Sequence, residues 1–232
     1  MTYLALTSHW SWVGGVILAM IILAYCPKEP QAETLISLPA PAYPGTVTVA
    51  EAIKKRRTIR RFANKPLSLE QVGQLLWAAD GVTDPRGLRS APSAGALYPL
   101  DVYLVAGEQQ VAGLAAGVYH YLPEKHSLSS RQSGDRRRAV AGACLQQTWL
   151  AEAPILFVIT GEYRRSQVKY GNRGVRYILM EVGHVAQNIF LQAEALNLGA
   201  GIVGAFEDTA LSQTLTLPMS HEPLVVMPVG YR

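Results

Sequence analysis

A group of residues early in the chain has the types and the spacing that bind a phosphate. Arg56, Arg57 and Arg60 lie close together, and the hydroxyl of Thr58 lies between them. Guanidinium groups bind phosphate through paired, charge-assisted hydrogen bonds, and a hydroxyl adds a neutral donor. We expect a helix to end near Arg57, where the helix dipole repels anions, so side chains must do the binding. The alternative interpretation is a solvated basic face in which Phe62 alone is buried.

Two segments of small residues favour a flat molecule lying against the backbone. Ser93, Ala94 and Gly95 follow a proline and precede an apolar strand, and the segment GAGIVGAF at 199–206 has the same character. Residues with little bulk let the backbone approach a ring closely. Together with the arginines, the two segments fit a flat heterocycle that carries a phosphate tail. The alternative for the first segment is an ordinary tight turn before a strand.

An α+β domain must position these segments, with a mixed, largely antiparallel sheet wrapped by helices. Capping boxes predict helices that begin at TVAE, 48–51, and at SLEQ, 68–71, and an apolar stretch predicts a long buried helix over 174–197. Strands are predicted over 101–106, 154–160 and 201–206. The remaining predictions are a hairpin around PEKH, a helix from Asp135 to about Gln147, a short helix at DTALSQTL and a final strand at PLVVMPVGY.

Composition and motifs exclude several other classes of function. The chain has 232 residues, of which 49% are hydrophobic, so it can bury a sizeable core. The net charge is +4, but no zinc spacing, RNP-like motif or helix-turn-helix pattern accompanies the basic clusters, so we expect no nucleic-acid partner. The two cysteines, Cys26 and Cys144, cannot build a disulfide framework. We assign no metal, because His184 stands without partners at metal spacing, and no nucleophile elbow or P-loop supports a hydrolase or NTPase.

The N-terminal segment has the composition of a membrane anchor. Residues 1–25 include the apolar run WSWVGGVILAMIILAY, which approaches the length of a bilayer span. Because no Lys or Arg precedes Lys28, we expect a retained single-span anchor, and export after signal cleavage is the alternative. The proline-rich residues 26–46 are predicted to be an extended linker, and residues 47–232 the folded domain.

Several separated motifs, in the same order, resemble the flavin-dependent nitroreductase family and, within it, the SagB/ThcOx type of dehydrogenase. The resemblance is carried by RRTIRRF, APSAGALYPLDVYLV, KYGNRGVRYILMEVGHVAQN, LGAGIVGAFED and MPVGYR. It covers nearly the whole chain from about Thr46 to Arg232. It implies an FMN-binding α+β fold and a homodimer with two flavins at the subunit interface.

The resemblance also implies roles for individual residues of this chain. Arg56, Arg57, Thr58 and Arg60 match the motif that holds the ribityl phosphate, and Ser93, Ala94 and Gly95 match the loop beside the flavin ring. Gly204 and Ala205 match the segment that approaches the ring from its other side. Arg232 matches a C-terminal basic residue that reaches the phosphate.

Lys169 and Tyr170 resemble the Lys-Tyr pair that azoline-oxidising members of the family use near the flavin. Hydride transfer from a carbon requires a proton to leave a neighbouring atom, and a lysine or tyrosine can accept that proton. On their own, the two residues also fit a surface lysine and a half-buried tyrosine.

The resulting prediction is an FMN-dependent oxidoreductase that transfers a hydride between flavin and a small organic substrate, with a small-molecule electron donor and acceptor. The enzymatic alternative is an NAD(P)H-dependent nitro- or quinone reductase. The alternative from another class is a non-catalytic, flavin-binding protein tethered to a membrane.

Overall fold

The computed structural model describes residues 34–232, and all the structural statements below concern this part of the chain. Its helices are α1 (Val49–Lys55), α2 (Leu69–Asp80), α3 (Arg137–Ala143), α4 (Tyr163–Tyr170), α5 (Arg173–Ala195) and α6 (Asp208–Leu215). Its strands are β1 (Leu35–Ser37), β2 (Leu100–Ala106), β3 (Gly117–Leu122), β4 (Ser127–Ser133), β5 (Ile155–Gly161), β6 (Gly199–Ala200) and β7 (Glu222–Gly230). The predicted α+β class with a largely antiparallel sheet is confirmed.

The strands form a seven-stranded sheet in the order β1-β4-β3-β2-β5-β7-β6. Every pairing between these strands is antiparallel. The central strands β2 and β5 are buried along their whole length. The apolar run predicted at 154–160 is therefore a strand covered on both faces.

Alternating side chains of β2 and β5 divide the core between the two faces of the sheet. On one face Leu104 and Phe157 pack with apolar residues of α2 and α5. On the other face Val105 and Val158 pack with α3 and α6. Cys144 is fully buried in this second cluster, where burial raises the pKa of its thiol to about 12, so it packs as a small apolar residue.

The two predicted capping boxes are present. The Thr48 hydroxyl accepts a hydrogen bond from the backbone of Glu51 at the start of α1, and Ser68 does the same for Gln71 at the start of α2. In each case the side-chain oxygen of the third helical residue accepts a hydrogen bond from the backbone N–H of the cap. These reciprocal bonds satisfy backbone donors that the first turn leaves free.

Three elements differ from the predictions made on sequence. The helix predicted to reach about Gln147 ends at Ala143, because Leu145 and Gln146 adopt positive φ angles of 53° and 59°. The strand predicted over 201–206 is instead β6, and beyond it only Val203 forms an isolated bridge to β7. Helix α4 was not predicted at all, because its residues are polar around most of the helix and show no apolar period.

The segment predicted as a linker takes part in the fold. Within residues 26–46, β1 pairs with β4 in antiparallel register, so the sheet begins before the boundary predicted at Val47. The segment predicted as an anchor, residues 1–25, lies outside the described residues. Across 34–232 we find no helix long and apolar enough to cross a bilayer.

Candidate active site

The loop predicted to lie beside a ring has an unusual backbone. Gly95, Ala96 and Tyr98 all have positive φ angles, of 64°, 52° and 45°. A left-handed conformation costs roughly 1–2 kcal/mol for a residue with a side chain. The loop therefore keeps this shape only because its surroundings hold it.

Two hydrogen bonds hold the loop, one made by a residue of the loop itself and one made by a residue of α5. The carboxylate of Glu181, which is only 5% exposed on α5, accepts a hydrogen bond of 2.8 Å from the Ala94 backbone N–H. The Ser93 hydroxyl accepts a hydrogen bond of 2.9 Å from the backbone N–H of Tyr98. Ser93 and Ala94, predicted to line the ring, are thus fixed at the base of the loop.

Lys169 and Tyr170 lie against this loop. They occupy the last turn of α4, and their side chains reach Gly95: a Cβ placed there would lie 2.9 Å from Lys169 Nζ and 2.6 Å from Tyr170 Oη. The Tyr170 ring packs edge-on against Tyr177 of α5 at a centroid distance of 5.0 Å. The structure therefore brings together three residues that the sequence assigned to one site from segments far apart in the chain.

The basic group lies further along α5. The Arg56 guanidinium stacks over the ring of Phe190 at 5.1 Å, and the Arg60 guanidinium lies 5.7 Å from the ring of Trp149. Arg57 donates hydrogen bonds to the backbone carbonyls of Lys54 and Arg56, at 3.1 and 2.7 Å, and so satisfies the C-terminal end of α1. Within residues 34–232, none of these three guanidinium groups is paired with a carboxylate.

Thr58 joins the basic group to the second segment of small residues. It forms a parallel bridge with Ala200, and the next residue, Ile59, donates its N–H to the Ala200 carbonyl at 2.8 Å. Gly199 and Gly201 are small because a Cβ at either position would lie within 3.0 Å of Ile59. Close packing against the side chain of Ile59 at Gly199 and against its backbone carbonyl at Gly201, and not a ring, accounts for these two glycines.

Three of the predicted residues have other surroundings. Arg232 pairs with Glu194 at 2.5 Å and donates to the Leu198 carbonyl at 3.0 Å. Gly204 has open space around the position of a Cβ, and the Ala205 carbonyl accepts a hydrogen bond of 3.3 Å from Gln147. The roles assigned to these residues in binding the cofactor stay predictions.

Helix α5 relates the two halves of the site. Glu181 holds the loop, and Phe190, nine positions later, lies under Arg56, so the two points are about 13 Å apart along the helix axis. At about 100° per residue, nine positions also turn the side-chain direction by about 180°, so Glu181 and Phe190 leave α5 on opposite sides. Arg232 lies on the same face of α5 as Arg56, because its partner Glu194 follows Phe190 by one turn.

The residues present fit FMN on three observations of this structure. The three arginines have no carboxylate partners in the described chain, the loop around Gly95 presents backbone and no bulk, and the amine of a lysine and the hydroxyl of a tyrosine converge on that glycine. These are the donor set for a phosphate, the surface for a ring and the groups for a proton transfer.

Sequence reasoning missed Glu181 and the ionic residues around Asp101. Both carboxylates stand in otherwise apolar stretches, ILMEV and PLDVYLV. A charged residue on a buried face requires a partner, and that signal was available in the sequence.

Comparison with known proteins gives the class of protein. The family model described as the nitroreductase family matches residues 53–231. A nitroreductase-like protein of Methanocaldococcus jannaschii, MJ1384, is 42% identical over 184 residues, which are 79% of this chain and 91% of that protein. The chain belongs to the nitroreductase family, whose members are flavin oxidoreductases.

More distant relatives include proteins named for the processing of microcin B17 and trifolitoxin. The microcin B17-processing protein McbC of Escherichia coli is 29% identical over 171 residues, or 71% of this chain and 62% of McbC. Among solved structures, a nitroreductase-like protein of Ralstonia eutropha JMP134 superposes with a TM-score of 0.74 at 26% identity, covering 87% of this chain and 90% of that one. The E. coli microcin synthetase complex McbBCD superposes with a TM-score of 0.66 at 26% identity, covering 90% of this chain and 82% of the matched chain.

Proposed function

We propose that this chain is an FMN-dependent oxidoreductase of the SagB type, which transfers a hydride between flavin and a small organic substrate. The observation that carries the proposal is the convergence of Lys169 and Tyr170 on Gly95 in a loop of small residues. The similarity to McbC supports the subgroup, and FMN dependence is typical of the family.

The binding of the cofactor divides between the two halves of the site. Arg56, Arg60 and Thr58 would hold the phosphate, and the loop Ser93–Gly95 would lie against the ring. Bound there, FMN supplies the two-electron acceptor. The backbone of the loop, held by Glu181, would fix the position of the ring relative to α4.

Lys169 and Tyr170 would remove the proton that accompanies the hydride. In the oxidation of a thiazoline to a thiazole, one ring carbon loses a hydride and the adjacent ring atom loses a proton. The product has therefore lost two electrons and two protons in total. The Nζ of Lys169 in its neutral form, or the Oη of Tyr170, accepts that proton. Both atoms lie at Gly95, so a ring bound against the loop would have the proton acceptor beside it.

We also propose a homodimer, in which α5 lies at the subunit interface. Leu179 and Met180 on this helix are 52% and 54% exposed, and Gly183, one turn later, has open space beside it. An apolar stripe on a buried helix requires a cover, and a second copy of the chain would provide it. Sedimentation of the purified chain tests this: we expect a dimer, and a monomer at micromolar concentration contradicts it.

The first test of the function is the absorption spectrum of the full chain, purified in detergent after expression with ample riboflavin. We expect the absorption bands of oxidised flavin, with an intensity that corresponds to about one flavin per chain, and the release of FMN on denaturation. A colourless protein that takes up no added FMN contradicts the proposal.

The second test is oxidation of a probe, the methyl ester of 2-phenylthiazoline-4-carboxylic acid, with oxygen as the final electron acceptor. We expect Lys169→Ala and Tyr170→Phe to lower kcat by about 10²–10⁴-fold while FMN stays bound. Tyr163→Phe, on the first turn of the same helix, is the matched control and should leave kcat unchanged. Bleaching of the flavin by NADPH without oxidation of the probe would instead favour a nitro- or quinone reductase.

A further inference from the structure

Arg165, on the first turn of α4, contacts three oxygen atoms from three parts of the chain. Its Nη1 lies 2.9 Å from Asp101 Oδ2 at the start of β2 and 3.1 Å from the backbone carbonyl of Tyr98. Its Nε lies 2.7 Å from Glu162 Oε2. One side chain therefore connects α4 to the end of the loop and to the sheet.

The Asp101 carboxylate that Arg165 contacts is a negative charge held in a fixed position. Its side chain is 10% exposed, and its Oδ1 lies 2.8 Å from His120 Nε2 on β3. Burial raises the pKa of the carboxyl, but the hydrogen bond from His120 and the charges of Arg165 and His221 outweigh burial and hold it below its usual range. The carboxylate is therefore ionised at neutral pH and gives the guanidinium a rigid partner.

Polar contacts, and not packing, hold Arg165 in place. Two cavities, of about 360 and 280 Å³, adjoin the pair, and Asp101, His120 and Arg165 line both of them. With this open space beside it, an aliphatic side chain of similar length would not keep the same position. The ion pairs and the bond to Tyr98 therefore determine where the first turn of α4 lies.

The position of this turn determines the position of the Lys-Tyr pair. Lys169 follows Arg165 by four residues, so both lie on the same face of α4. At one end of the helix Arg165 contacts Tyr98, and at the other end Lys169 and Tyr170 contact Gly95. The loop and the helix thus meet at two points, with the residues of positive φ between them.

We propose that Arg165 is a positioning residue that sets the distance between the loop 93–98 and the pair Lys169 and Tyr170, by binding the Asp101 carboxylate and the Tyr98 carbonyl. The proposal rests on the proposed function, in which that pair accepts a proton beside the ring. Arg165 acts through Lys169 and Tyr170 and does not itself touch the reacting atoms.

A metal site is the alternative interpretation of these residues. The ligand atoms of Asp101, Glu162 and His221 lie within 4.8 Å of one another. Arg165 contacts both carboxylates, at 2.9 and 2.7 Å, so the guanidinium is already the cation between them. The structure therefore favours an internal ion pair over a metal ion.

The first experiment needs neither flavin nor substrate. Hydrogen exchange of the full chain is compared for wild type, Arg165→Met and the matched control Arg164→Met, which removes an exposed arginine from the same turn. We expect Arg165→Met to speed exchange in peptides covering 92–100 and 163–171 by about tenfold or more, and Arg164→Met to leave both unchanged. If these peptides of Arg165→Met exchange at the wild-type rate, the proposal is overturned, whether or not the protein binds FMN.

The second experiment measures oxidation of the thiazoline ester by the holoenzyme. We expect Arg165→Met to lower kcat by about 10–100-fold, with KM and the Kd of FMN within threefold of wild type. Adding Arg165→Met to the double variant Lys169→Ala, Tyr170→Phe should cause no further loss, because Arg165 acts through that pair. A further loss of the size seen in the wild-type background overturns the proposal, since it shows that Arg165 acts independently of the pair.

A conservative variant covers the case in which Arg165→Met does not fold. Arg165→Lys keeps the charge but replaces the two nitrogens that contact Asp101, Tyr98 and Glu162 with a single ammonium nitrogen. We expect Arg165→Lys to have exchange rates and a kcat between those of wild type and those expected for Arg165→Met. Wild-type values of both quantities overturn the proposal. If wild type takes up no FMN, the proposed function fails, and the exchange experiment alone decides the role of Arg165.

Discussion

Replacement of Gly95 by alanine tests the contact on which the active site depends. A Cβ at this position would lie 2.6 Å from Tyr170 Oη and 2.9 Å from Lys169 Nζ. The hydroxyl must therefore move by about 0.8 Å, the difference between 2.6 Å and the 3.4 Å at which ordinary contact begins. The φ angle of 64° adds a backbone cost of roughly 1–2 kcal/mol for alanine.

The two costs affect different measurements. The backbone cost lowers the free energy of unfolding, whereas displacement of the pair lowers the rate of the reaction. A misplacement near 1 Å costs about 10²-fold in rate, so we expect kcat for the thiazoline ester to fall by about 30–100-fold. That loss corresponds to about 2–3 kcal/mol in the activation barrier.

A matched glycine separates these effects. Gly87 has a φ of 83° and no atom within 4 Å of the position of its Cβ. Gly87→Ala should therefore lower stability by a similar amount and leave kcat unchanged. Chemical denaturation, FMN titration and steady-state kinetics on both variants give the comparison. Equal kcat in the two variants would refute the reasoning, and a raised Kd for FMN with normal kcat would show that the Cβ meets the ring and not the pair.

Three further predictions follow from the site. Arg56→Ala should raise the Kd of FMN by about 10–100-fold and leave that of riboflavin, which has no phosphate, unchanged in fluorescence titrations. Glu181→Leu should lower the free energy of unfolding in urea by about 1–3 kcal/mol, because the Ala94 N–H loses its acceptor, whereas Glu181→Gln should largely retain it. Burial, together with the charges of Arg165 and His120, lowers the pKa of His221 below its ordinary value of 6.5, despite the opposing charges of Asp101 and Glu162. The free energy of unfolding should therefore fall as the pH drops below 6.5, because the unfolded chain binds the proton more readily. His221→Gln should reduce the difference in unfolding free energy between pH 7.5 and pH 5.5, measured by urea titration.

The fold was predictable where the sequence carries a local physical signal. The capping boxes at Thr48 and Ser68 identify two helix starts, and the apolar run from 154 to 160 identifies a strand buried on both faces. Helix α4 carries no such signal, because Val168 is 89% exposed and most of its neighbours are polar. Its position depends on ion pairs made by Arg165 with residues distant in sequence, which periodicity does not reveal.

The candidate site was predictable in its residue types but not in its supports. Small loops and clustered arginines indicate a ring and a phosphate from composition alone, and the resemblance added the pair Lys169 and Tyr170. The glycines at 199 and 201 show the limit of this reasoning, because they are small to admit Ile59 and not a ligand. Which small residues face a ligand depends on tertiary packing that the sequence does not display.

The backbone of the loop explains why its supports are polar. Ala96 and Tyr98 adopt positive φ angles, and their combined cost of roughly 2–4 kcal/mol is a large share of the stability of a typical domain. Apolar packing has no direction and cannot select this conformation over a relaxed one. Hydrogen bonds have direction, and those made by Glu181, Ser93 and Arg165 act on backbone atoms at both ends of the strained segment. The loop is thereby held in the shape that presents Gly95 to Lys169 and Tyr170, so loss of any one of these bonds should lower both the stability of the fold and the rate of the proposed reaction.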